Sequence, residues 1–125
     1  SHIHLIFRAK NNNISDIIRD FKTFTSKKMI KTIEENPQES RKEWLLWMFK
    51  RAGTKNSNVK NYQFWQQDNH PIIIWSLSVF EEKLHYIHQN PVKSGFVENA
   101  WEWKYSSAKN YCDDISAVLE IDINR

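Results

Sequence analysis

Two groups of side chains in this sequence have types and spacings that could do chemistry, and they lie far apart along the chain. The first is in the run Lys83-Leu84-His85-Tyr86-Ile87-His88-Gln89-Asn90-Pro91, which reads as the second half of an amphipathic helix stopped at Asn90-Pro91. Projected at about 100° per residue, Phe80, Leu84 and Ile87 form a stripe suited to a core, and Val79, Lys83, Tyr86 and Asn90 form a second stripe. The second stripe sets a phenol one turn from an ammonium and one turn from a carboxamide. A tyrosine so placed could attack a phosphate while its neighbours hold charge, or it could be a surface tyrosine at a helix end. The second group is in His2-Ile3-His4-Leu5-Ile6-Phe7. Its alternation predicts a strand with His2, His4 and Ile6 on one side and Ile3, Leu5 and Phe7 on the other. Two imidazoles on one side, two residues apart, can reach a single cation, although a histidine pair in a loop reads the same way.

The intervening sequence has to position these groups. Lys10-Asn11-Asn12-Asn13 is a polar turn. Ser15 is a candidate N-cap for a helix over 16–35, with Ile17, Ile18, Phe21, Phe24 and Ile33 as its buried stripe. Arg19, Lys22, Ser26, Lys27 and Lys31 lie mostly off that stripe, on a solvated face or a phosphate-contacting one. After Asn36-Pro37 a second helix is predicted from Glu39 or Ser40 to about Arg51, and Trp44, Leu45, Trp47, Met48 and Phe49 suit it to a packed interior. Ala52–Lys60 reads as a basic loop, with Arg51, Lys55 and Lys60 either on a plain connector or in contact with nucleic acid. Tyr62–Gln67 alternates as a second strand, with Tyr62, Phe64 and Gln66 on one face. His70, before Pro71, reads as structural rather than as a further ligand. Ser78 with Glu81 is a capping box opening the helix that carries Tyr86. A short helix follows from Tyr105-Ser106-Ser107 through Tyr111, and Leu119, Ile121 and Ile123 suggest a final edge strand or a docked tail.

Composition bounds the function. At 125 residues, 40% of them hydrophobic and 14% aromatic, the chain can build one core and is not of disordered type. A net charge of +3 and a pI near 9.0 permit a polyanionic partner without requiring one. The single cysteine, Cys112, excludes an internal disulfide and a cysteine-based zinc site and fits a cytoplasmic location. No stretch has the length and apolarity of a membrane span, so no membrane partner is expected.

The two groups together resemble the HUH single-tyrosine transposases, and in particular their REP-associated (IS200-like) branch. The resemblance rests on the His2-Ile3-His4 strand, Phe64-Trp65-Gln66-Gln67, and the run Tyr86-Ile87-His88-Gln89-Asn90-Pro91-Val92-Lys93-Ser94-Gly95-Phe96-Val97. It continues through Trp103-Lys104-Tyr105-Ser106-Ser107-Ala108 and Tyr111, and so covers residues 1 to about 111. It implies an α+β fold, an antiparallel-sheet core with helices packed on it. Family members carry further strands and a helix ahead of the His-x-His strand, so the expectation is a single transposase-like domain over 1–125, truncated at its N-terminus. A sheet edge left open by the truncation would favour a homodimer.

The resemblance also implies the chemistry. His2, His4 and Asn90 would hold a divalent metal, Mg²⁺ or Mn²⁺, which binds a non-bridging phosphate oxygen and draws charge from phosphorus. Tyr86 would then attack in line, displace the 3′-side sugar oxygen, and remain joined to a 5′-phosphate. The substrate would be single-stranded DNA beside a hairpin, and the outcome DNA transposition. Lys83 on the tyrosine stripe, with Lys22, Arg51 and Lys55 elsewhere, are candidate phosphate or DNA contacts. His85 and His88 point about 100° and 200° away from Tyr86 and stay outside the catalytic set. Two other readings remain open: an inactive DNA-binding remnant of such an enzyme, and a metal-dependent hydrolase in which Tyr86 is structural.

Overall fold

The computed structural model describes residues 2–57, 61–112 and 117–123. Lys60 lies outside them. The chain divides into two compact units, one of Phe7–Pro71 and one of Ser1–Ile6 with Ile72–Arg125.

The unit of residues 7–71 is built on two helices, α1 (Ile14–Glu35) and α2 (Lys42–Thr54), which pack on each other. Helix α1 opens one residue before the candidate cap Ser15. Asn13 takes the N-cap position without a side-chain cap, and its carbonyl accepts from the Ile17 N–H at 3.1 Å. Asn12 makes the preceding turn with φ 54°, a left-handed conformation that asparagine tolerates. Helix α2 starts later than the sequence suggests because the Glu39 carboxylate accepts from both the backbone N–H and the guanidinium of Arg41, at 3.0 and 3.1 Å. This local bond holds residues 39–41 in a turn. The helix then runs through Gly53, which is buried, into what the composition marked as loop.

The segment 62–67, expected as a strand, is instead a strap over the two helices. Its backbone bonds helix rather than sheet: the Gln63 N–H donates to the Phe49 carbonyl at 3.0 Å. The Trp65 indole N–H donates to Thr25 Oγ1 at 2.8 Å, and Lys22 Nζ donates to the Gln66 carbonyl at 2.6 Å. Phe64 lies against Phe49, and Trp65 against Phe21, with ring centroids 5.2 and 6.0 Å apart. The apolar stripe of α1 is only partly covered by this. Ile30 is its buried residue, whereas Phe24 is 70% exposed. On α2, Trp44 and Trp47 are exposed too, so the packed interior expected of that helix is not formed around them.

The second unit is organised by α3 (Leu77–Lys93), followed by a single 3-10 turn (Ala100–Glu102) and the short α4 (Ala108–Tyr111). Ser76, not Ser78, caps α3. Its backbone is extended (φ −145°, ψ 162°), and its Oγ accepts from the Val79 N–H at 3.2 Å, the geometry that satisfies an orphan donor of the first turn. The helix also passes through Pro91 to Lys93. Proline removes one backbone donor, and the end is closed otherwise: the Gly95 N–H bonds the Val92 carbonyl and the Phe96 N–H bonds the Pro91 carbonyl, both at 2.9 Å. This paired closure needs a left-handed residue at its centre, supplied by Gly95 at φ 73°. The 3-10 turn packs between α3 and α4. Glu102 holds it by accepting from the Asn99 N–H at 2.9 Å and the Glu98 N–H at 3.1 Å, bonds that lower its carboxyl pKa. Ala100 and Ala108 are the buried residues here.

The expected α+β fold with an antiparallel-sheet core is therefore corrected: the architecture is helical, and no strand occurs among the described residues. Residues 2–8, 62–67 and 118–123 alternate in sequence, but alternation describes a face and does not supply a hydrogen-bonding neighbour. Residues 2–8 are not paired in a ladder, 62–67 is recruited by helices, and in the last segment the Leu119 carbonyl is taken by the Asn110 side chain at 2.8 Å. Among the described residues there is accordingly no sheet edge of the kind expected to pair two copies.

Candidate functional site

Helix α3 and the segment before Ile6 belong to the same unit, and between them they assemble the candidate site. His4 Nε2 lies 3.0 Å from Asn90 Nδ2, across 86 positions of sequence. The His4 ring stands edge-on to Tyr86, with centroids 5.4 Å apart, and His2 stands edge-on to His4 at 4.7 Å. His2, His4, Tyr86 and Asn90 thus form one continuous cluster. Tyr86 and Asn90 share a helix face because four residues make just over one turn, and the segment 2–6, which has no regular secondary structure, brings His4 to that face with His2 beside it.

The electrostatics of the cluster favour a neutral His4. Burial, and then the neighbouring His2, hold the His4 pKa below its ordinary value of 6.5. A neutral His4 with its proton on Nδ1 accepts from the Asn90 amide. With the amide turned over, Asn90 Oδ1 and His4 Nε2 would be two acceptors at about this 3.0 Å separation, a spacing that neighbouring ligands of one divalent cation can have. Among the described residues no three His, Cys, Asp or Glu side chains group as a metal site. A cation here would accordingly be held by an N,N,O set that includes the Asn90 amide, and His2, His4 and Asn90 supply those donor types in one cluster. Tyr86 is half exposed, so its phenol is open to a large substrate.

Of the four candidate DNA contacts, none is grouped with this cluster by a bond or ring contact. Lys83 turns to its neighbour Glu82, donating at 2.7 Å. Lys22 is spent on the Gln66 carbonyl. The Arg51 guanidinium lies over the Trp47 ring, 5.2 Å from its centroid, and Lys55 is exposed just past the end of α2. His70 is exposed, with φ 46°. His88 faces α4: its Nε2 is 2.9 Å from Ser107 Oγ and its ring 5.3 Å from that of Tyr111. Burial, with His85 close by, lowers its pKa also. His88 therefore ties α3 to α4, a role its off-face projection allowed and that only the position of Ser107 reveals.

Among the described residues no helix is long and apolar enough to cross a membrane. No family model, no curated protein and no solved structure matches the chain.

Proposed function

We propose that this chain is a single-tyrosine transposase of the HUH type, acting on single-stranded DNA beside a hairpin, with Tyr86 as nucleophile. One observation carries the reading: His2, His4, Tyr86 and Asn90, drawn from distant parts of the sequence, meet in one cluster with His4 and Asn90 at 3.0 Å. The reading rests on that cluster and on the residue runs around it, not on a sheet.

The half-exposed Tyr86 phenol attacks phosphorus after losing its proton to water. The bond from phosphorus to the 3′ oxygen breaks, and that oxygen takes up a proton as it leaves. The 5′-phosphate stays on Tyr86 as a diester, so the bond is conserved and a second 3′-hydroxyl can reverse the step without ATP. A free phenol, with a pKa of about 10, is a weak nucleophile at neutral pH, and the phosphate must therefore be made more electrophilic. His2, His4 and Asn90 would hold a divalent cation, Mg²⁺ or Mn²⁺, which when bound supplies that charge withdrawal. A neutral His4 keeps the Nε2 lone pair that accepts from the Asn90 amide, and that lone pair would serve a cation once the amide turned its oxygen to the same ion. A cytoplasmic location belongs to the same reading.

The test is incubation with hairpin-bearing single-stranded DNA and Mn²⁺, followed by a denaturing gel. The wild type should give a covalent adduct that Tyr86→Phe does not. Cleavage surviving in Tyr86→Phe would identify a hydrolase instead, and binding without adduct a DNA-binding protein.

A further inference from the structure

The end of α3 and the chain just beyond it bring together cations and aromatic rings that neither the core nor the cluster uses. Lys93 lies two turns past Tyr86 and about 20° from it around the helix, some 10 Å along the axis. It is exposed, and among the described residues no carboxylate pairs with it. Past the glycine closure, the Phe96 ring contacts Trp103 (centroids 5.5 Å apart) and Trp103 contacts Tyr105 (6.4 Å). Lys104 Nζ sits over the Tyr105 ring, 5.7 Å from its centroid. Phe96 and Tyr105 are 69% and 75% exposed. Backbone bonds fix this row: the Trp103 N–H donates to the Ala100 carbonyl, and the Trp103 carbonyl accepts from the Ser106 N–H at 3.1 Å.

Phe96 and Tyr105, left this open, keep ring surface available to a partner. Exposed rings beside exposed ammonium groups match a ligand that alternates flat π-faces with negative charge, which is the repeat of a single-stranded nucleic acid. We propose that Lys93, Phe96, Trp103, Lys104 and Tyr105 form a track that holds the unpaired DNA leading away from Tyr86. The lysines grip phosphates and the rings stack bases. This deepens the function proposed above and rests on it.

The experiment measures binding of a short labelled oligothymidylate over a range of salt concentrations, without divalent metal and in a Tyr86→Phe background so that no strand is cut. Tyr105→Ala should weaken binding about 5- to 150-fold, the loss of one base–ring stack, with an unchanged salt slope. Tyr105→Trp should restore it, which separates stacking from folding. Lys93→Gln should lower the salt slope by about 0.7, one phosphate contact on a single strand, and Lys93→Arg should restore it. The exposed Trp44 serves as control, and Trp44→Ala should change neither quantity. Unchanged affinity and slope in the Tyr105 and Lys93 variants would overturn the track while leaving the adduct assay, and thus the proposed chemistry, standing. No binding by the parent would also overturn the track, and the adduct assay with hairpin DNA and Mn²⁺ decides the chemistry separately.

Discussion

The two units put their polar side chains to opposite uses. In residues 7–71 the polar groups that bridge distant parts of the chain are carpentry: Lys22 holds the Gln66 carbonyl, and Thr25 holds the Trp65 indole. In the unit of α3 His88 likewise joins Ser107, but the polar groups of the candidate site meet one another. His4 and Asn90 bond across 86 positions, and Tyr86 stands beside them half exposed. A lysine or threonine spent on a backbone or indole partner stabilises the fold and is no longer available to a ligand. Imidazole, phenol and amide brought together at the surface add little to stability and keep lone pairs for other work. The contrast separates residues whose loss should unfold from those whose loss should silence.

The largest effect expected from breaking this contrast is on chemistry alone. His4→Ala should reduce Mn²⁺-dependent adduct formation by more than the about 10- to 100-fold typical of a residue that merely orients a metal ligand. Its thermal midpoint should move little, and an unaffected adduct yield would remove His4 from the site. Trp65→Ala should do the reverse, lowering stability by about 1–3 kcal/mol in denaturant melts, with the adduct yield per folded molecule kept.

Acid should act on the α3 unit through its histidines. Both His4 and His88 have pKa values below the ordinary 6.5 in the folded chain, so the unfolded chain takes up these protons first as pH falls. Stability is then full above about pH 6.5 and is lost on acidification through it. Urea melts from pH 7.5 to 5.5 should show that decline, and His88→Asn should flatten it; a flat profile in the parent would contradict the burial of these rings. A smaller effect is expected at the helix end. Gly95→Ala meets no atom within 4 Å but keeps φ at 73°, so it should cost about 1 kcal/mol of conformational strain and no contact. The smallest effect is expected at Arg19, whose pairs with Asp16 and Asp20 are fully solvated. Arg19→Ala should leave the melting curve where it was.

Much of the site was legible because its parts are local patterns. The tyrosine and asparagine at a spacing of four share a face by helix geometry, whereas the two histidines were read onto one face of a strand that does not form, and their rings meet without it. The helices were legible to within a few residues for the same reason, and their ends were misplaced where a side chain intervened: Glu39 on Arg41, and Ser76 ahead of Ser78. Lys83 shares the tyrosine stripe, yet its bond to Glu82 depends on a rotamer that no periodicity encodes.

The sequence by itself determined the helical faces, the alternation of residues 2–7, the turn chemistry of Gly95, and a composition free of disulfides. The tertiary structure decided what those faces meet. A period of two says which residues share a side, but a strand also needs a neighbouring backbone, and none is supplied to residues 2–8, 62–67 or 118–123. The strap of 62–67 went to helices because Thr25, Lys22 and the Phe49 carbonyl offered its polar groups closer partners. The meeting of His4 with Asn90 likewise belongs to tertiary structure, since a contact between residues 86 positions apart is set by how the chain packs and not by any pattern along it.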